Sequence, residues 1–100
     1  MRYRLRFHLQ EVDLVGDEIL IGRGPECHVT VDDPMLSRRH ARIQLDGGEP
    51  AIEDLESRNG TQLNGAPLSG RAPLRDGDRI RLGTQEFVFV AQSGAKRNFR

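Results

Sequence analysis

One hundred residues are enough for one hydrophobic core and too few for two, and 15 basic residues against 15 acidic ones leave a formal net charge of +0. A protein that grips duplexes carries a basic excess, so this balance argues against general nucleic-acid binding. A single cysteine, Cys27, excludes an intrachain disulfide and a cysteine-rich zinc site, and no run approaches the roughly 18 apolar residues of a membrane span.

The N-terminal MRYRLRFHLQ has no apolar signal-peptide core, so a cytoplasmic chain without a membrane partner is expected. Lys96 is the only lysine, and the arginine bias hints at a GC-rich bacterial genome. Residues 2–9 alternate Arg2, Arg4 and Arg6 with Tyr3, Leu5, Phe7 and Leu9, the period-two pattern of a half-buried strand. Short strands follow at 19–21, around Val29 and Val31, over Ala41, Ile43 and Leu45, and over Ile80 and Leu82. Phe87-Val88-Phe89-Val90 reads as a fully apolar, central strand. Turn signals separate these runs: Gly22-Arg23-Gly24-Pro25, Asp33-Pro34, Asp46-Gly47-Gly48, Asn59-Gly60, Asn64-Gly65 and Asp76-Gly77. No segment carries three turns of helical period. The expected fold is all-β, a sandwich. One domain over residues 1–92 is expected, with 93–100 a mobile tail or the start of a linker, because the apolar period is lost there.

Nucleophilic catalysis needs a hydroxyl or thiol, a base and an orienting group. Ser37 and His40 stand three apart and Cys27 adjoins His28, but no second feature supports either pair. His8, His28 and His40 fall in three segments without metal-ligand spacing, so neither a metal nor a cofactor is expected. Asp32 and Asp33 before Pro34 look like turn chemistry. An anion site fits better. Arg23 follows a strand, Ser37 and Arg38 open a second loop, and Arg58 and Asn59 sit in a third. Loops of a sandwich gather at its ends, and a phosphate dianion needs several donors converging from different loops. Taken singly, each has a plainer reading. Arg23 can be an exposed turn arginine, Ser37 a cap, His40 a satisfied core histidine, and Asn59-Gly60 and Asn64-Gly65 hairpin turns.

Taken in order, Gly22-Arg23, Ser37-x-x-His40, Asp54-Leu55-x-Ser57-x-Asn59-Gly60-Thr61, Asn64-Gly65 and Leu74-x-x-Gly77-Asp78-x-Ile80-x-Leu82-Gly83 resemble the motif set of forkhead-associated (FHA) domains, over about Arg2 to Ala91. The resemblance implies about eleven strands in two twisted, mostly antiparallel sheets. It also implies a module that binds phosphothreonine in partner proteins downstream of a Ser/Thr protein kinase. By that resemblance Arg23 and Ser37 would contact the phosphate, Arg38 would add a contact, and Asn59, with Arg58 beside it, would hold the bound main chain. His40 would brace the Ser37 loop from inside, and Gly22, Gly60, Thr61, Asn64 and Gly65 would support the site. Met35 would read the third residue after the phosphothreonine, unless it tucks into the core. The alternative from another class is a phosphate-independent scaffold using a sheet face. An enzyme is not expected.

Overall fold

The computed structural model describes residues 1–92; the expected tail at 93–100 lies outside the described residues. Eleven strands form, and no helix is found among the described residues. β1 (Arg2–Phe7) and β2 (Gln10–Leu14) make the first hairpin, followed by β3 (Glu18–Gly22), β4 (Val29–Thr30), β5 (Ala41–Gln44) and β6 (Ala51–Asp54). The last five are β7 (Thr61–Leu63), β8 (Ala66–Pro67), β9 (Arg71–Pro73), β10 (Arg79–Leu82) and β11 (Gln85–Gln92). They pair as a six-stranded sheet, β2-β1-β11-β10-β7-β8, and a five-stranded sheet, β4-β3-β5-β6-β9. Every pairing is antiparallel except β3 with β4, where Ile21 meets Val29 and Gly22 meets Thr30.

Alternation puts one face of each strand into the core. Leu5, Ile80, Leu82, Phe87 and Phe89 from the larger sheet meet Ile19, Ile21, Ala41, Ile43 and Ile52 from the smaller, all essentially buried. Opposite faces carry charge, as an antiparallel sheet with one wet side requires.

Three details differ from the expected pattern. The first strand ends at Phe7, because His8 adopts φ 53° and turns the chain, leaving Leu9 fully exposed at the hairpin tip. The apolar period ran on into the turn by coincidence. β11 is central in its sheet, between β1 and β10, but it is not buried on both faces. Val88 and Val90 stay half-buried on the outer face, opposite Arg6 and Arg4, whose aliphatic stems can lie over them. Finally, only one of the two Asn-Gly pairs is a hairpin turn. Asn64 (φ 52°) and Gly65 (φ 87°) join β7 to β8 with the two left-handed residues such a turn requires. At Asn59-Gly60 only Gly60 is left-handed, and the segment crosses from one sheet to the other.

The register fixes where the loops meet. Ile21 pairs with Ala41 and Ala41 with Asp54, so the end of β3, the start of β5 and the end of β6 stand side by side. The β3–β4, β4–β5 and β6–β7 loops therefore leave the same end of the sandwich. Leu82 pairs with Thr61, which brings the β10–β11 turn to that end as well.

Candidate anion-binding site

The β3–β4 and β4–β5 loops are zipped together by main chain. Arg23 N donates to Ser37 O and Gly24 N to Arg38 O, both at 2.9 Å, and His40 N donates to Ile21 O. Gly22 permits this approach, since a Cβ there would lie 2.3 Å from the Arg38 carbonyl oxygen. Leu36, 2 % exposed, drives an apolar anchor into the core from the middle of the second loop. That burial contributes about 1.5–3 kcal/mol toward holding the loop down.

The third loop is tied to the second through His40, which is fully buried. Its Nδ1 accepts from the Ser37 amide at 3.1 Å, which assigns the ring proton to Nε2, facing Gly60 O at 2.8 Å. Asp54 organises the same loop from the end of β6. Its carboxylate accepts from the Ser57 hydroxyl and the Thr61 hydroxyl, each at 2.6 Å, and from the Ser57 amide at 3.1 Å. Burial pushes the Asp54 carboxyl up, but these hydrogen bonds outweigh it and hold the group below the usual carboxylate range.

On this frame the polar groups converge. Arg23, Met35, Ser37, Arg38, Arg58 and Asn59, with Pro34 and Leu36, line an open cleft of about 340 Å³. Arg23 Nε donates to Leu36 O at 3.1 Å, which steadies the guanidinium and leaves its two terminal nitrogens for a ligand. Ser37 Oγ accepts from the Arg58 amide at 2.9 Å, so its own hydroxyl proton remains to be given. Asn59 Nδ2 donates to Met35 O at 2.7 Å and keeps a second N–H and a carbonyl oxygen. Arg38 is largely exposed, its guanidinium 3.9 Å from Glu26. The arrangement offers three cationic side chains, a hydroxyl and an amide to one anionic group.

All five residues expected to bind the anion thus line one cleft. Met35 lines it too and is 43 % exposed, so it does not tuck into the core. Gly22, His40, Gly60 and Thr61 sit in or beneath the loops. Asn64 and Gly65 do not: they lie past the far end of β7, where Asn64 bonds Arg79 N and Asp78, so they support the β7–β8 hairpin rather than the site. Two residues were missed. Asp54 and Asp33 were read as motif and turn residues, yet both are carboxylates that hold loops in place. Ser57 and Thr61 after Asp54 were the signal for the first.

The alternative chemistry lacks its parts. Both ring nitrogens of His40 are engaged by main chain, so neither can serve as a base for the Ser37 hydroxyl. Burial pushes the Cys27 thiol up, away from the thiolate a nucleophile needs, and Sγ donates to Arg38 O. Among the described residues, no group of three or more His, Cys, Asp or Glu is placed to hold a metal ion.

Comparisons with known proteins agree with this geometry. The glycogen accumulation regulator GarA of Mycolicibacterium smegmatis is 41 % identical over 69 residues, 69 % of this chain and 43 % of GarA, so this chain spans less than half of that relative. A structure from a study of phosphothreonine-dependent FHA domain interactions superposes with a TM-score of 0.87 at 33 % identity, covering 93 % of this chain and 99 % of that one. Mycobacterium tuberculosis EmbR, in complex with a low-affinity phosphopeptide, superposes at 0.88 with 28 % identity, over 96 % of this chain and 26 % of EmbR. The FHA-domain family model matches residues 19–83, a stretch that takes in β3 through β10 and all three loops of the cleft. With the family model matching most of the chain, two sheets in the same arrangement and the cleft residues gathered at one end, this chain belongs to the FHA domain family.

Proposed function

We propose that this domain is a phosphothreonine-dependent binding module, without catalytic activity, that reads phosphorylated partner proteins downstream of a Ser/Thr kinase in the cytoplasm of a bacterium. The observation that carries the reading is the convergence of Arg23, Ser37, Arg38, Arg58 and Asn59, from three loops, on one cleft. A phosphothreonine brings about −1.5 to −2 charges and three strong acceptor oxygens. Arg23 and Ser37 donate to those oxygens, Arg38 and Arg58 add charge, and Asn59 takes the peptide main chain on both sides of its amide. Each charge-assisted bond is worth roughly 1.5–3 kcal/mol, and three or four of them, less ordering costs, give affinity around the micromolar range. Met35 reads the third residue after the phosphothreonine and, being soft and unbranched, favours aliphatic side chains there. The supporting comparisons are the phosphothreonine-dependent and phosphopeptide-bound FHA structures above. The absence, among the described residues, of a helix long and apolar enough to span a membrane is compatible with the compartment.

An oriented phosphothreonine peptide library, with phosphoserine and unmodified versions as controls, tests the reading. Binding that requires phosphate and prefers threonine supports it. A partner held equally well without phosphate overturns it in favour of a scaffold that uses a sheet face.

A further inference from the structure

Asp33 is a buried carboxylate, 6 % exposed, that the anion site does not use. One oxygen accepts from the Met35 amide at 2.9 Å. The other accepts from the Thr84 hydroxyl at 2.6 Å and the Gln85 side-chain amide at 2.9 Å, 51 and 52 residues further along the chain. The β10–β11 turn is thereby tied under the β4–β5 loop. Contact there is close, because a Cβ on Gly83 would stand 3.0 Å from Met35 Cβ and 3.2 Å from Met35 O. The Met35 main chain is held on both sides, its amide by Asp33 and its carbonyl by Asn59. The Met35 side chain, meanwhile, stands exposed in the cleft. None of these bonds reaches Arg23 or the Ser37 hydroxyl, whose supports come from Leu36 O and Arg58 N.

We infer that Asp33, Thr84 and Gln85 form a clamp that positions Met35 and so sets side-chain selectivity after the phosphothreonine, separately from anchoring of the phosphate. Asp33 touches no ligand. It is a positioning residue, and the β10–β11 turn is a remote determinant of what the cleft prefers. The inference rests on the phosphothreonine reading above, and its failure differs from the failure of that reading.

The test compares wild type with Thr84→Val, which keeps shape and loses the hydroxyl, and Thr84→Ser, which keeps the hydroxyl. Each is titrated with two phosphothreonine peptides, bearing leucine or alanine at the third following position, and with a short one ending at the phosphothreonine. Wild type should prefer leucine. Thr84→Val should reduce that preference at least about threefold while holding the short peptide within about twofold, and Thr84→Ser should restore the preference. Faster hydrogen exchange at the Met35 amide of unliganded Thr84→Val should accompany the loss. A Thr84→Val protein with wild-type preference and Met35 protection overturns the clamp, as does equal weakening of all three peptides. A wild-type protein that binds no phosphothreonine peptide overturns the parent reading and this one with it.

Discussion

Arginines on the sheet faces and arginines at the loop end live in different surroundings. On the larger sheet Arg4 and Arg6 pair with Glu11 at 3.0 Å, and Arg4 also reaches Asp13 at 3.3 Å. On the smaller sheet Arg42 lies between Glu18 and Glu53. At the loop end Arg23 and Arg58 have no carboxylate in ion-pair range among the described residues, and Arg38 has only Glu26 at 3.9 Å. A protein of zero net charge can therefore still present a local positive field. Neutralisation is selective: Arg4, Arg6 and Arg42 are matched by close carboxylates and the cleft arginines are not, although the strand arginines Arg2, Arg71 and Arg81 also lack a carboxylate in ion-pair range among the described residues and Arg79 has only Glu86, at 3.9 Å. Charge counted over the whole chain, which argued against nucleic acid, carries no information about such a cup.

Removing a cation from each region should separate the two roles. Arg23→Ala is expected to weaken phosphothreonine-peptide binding by about 2–4 kcal/mol, with the melting temperature nearly unchanged, by calorimetric titration and thermal unfolding. Affinity retained within about threefold would remove Arg23 from the phosphate. His40→Ala should act on the frame instead. It leaves a void and orphans the Ser37 amide and Gly60 carbonyl, so the denaturant midpoint should report a loss of about 1–3 kcal/mol, with weaker binding following from it. A variant as stable as wild type that fails to bind would put His40 against the ligand.

Acid should expose the same frame. The Asp54 carboxyl is held below its ordinary value in the folded state, so its stabilising share is complete above the ordinary carboxylate range near pH 4 and is lost as pH falls through the folded value. The difference in urea midpoint between wild type and Asp54→Asn, which isolates this share, should be constant from about pH 7 to 5 and shrink below about pH 4. Asp54→Asn should be less stable at neutral pH and show a shallower acid slope, and an unchanged slope would contradict the assignment. The smallest effect belongs to the sheet arginines. Arg42→Ala should leave peptide affinity within about twofold and cost at most about 1 kcal/mol of stability. A loss of binding there would break the distinction between matched and open arginines.

Fold class was legible in the chain because it rests on short-range patterns, and the main cleft residues because they fall in order within a family's motif set. Period-two alternation at 2–7, 41–44 and 79–82 reports a half-buried strand whatever it pairs with, whereas Arg23, Ser37 and Asn59 each have a plainer reading alone and stand out only together. What was hidden depends on partners far along the sequence. Asp33 before Pro34 has the local look of a turn residue, and one oxygen does serve that turn; its other oxygen meets residues on a distant hairpin. Two identical Asn-Gly pairs differ only in what flanks them: β7 and β8 pair across one, while the other bridges two sheets. The outer face of β11 read as apolar because the charged residues beside Val88 and Val90 on that face include Arg6 and Arg4 of β1, more than eighty residues earlier.

The main-chain zipper between residues 23–24 and 37–38 has a practical corollary for redesign. Because those loops share two hydrogen bonds and a contact that admits no Cβ at position 22, they move and mutate as one unit. Grafting the β4–β5 loop of a relative alone would import its recognition chemistry onto a mismatched rail. A specificity exchange should carry both loops as a cassette, with Gly22 kept at its hinge and Leu36 as the peg that seats it.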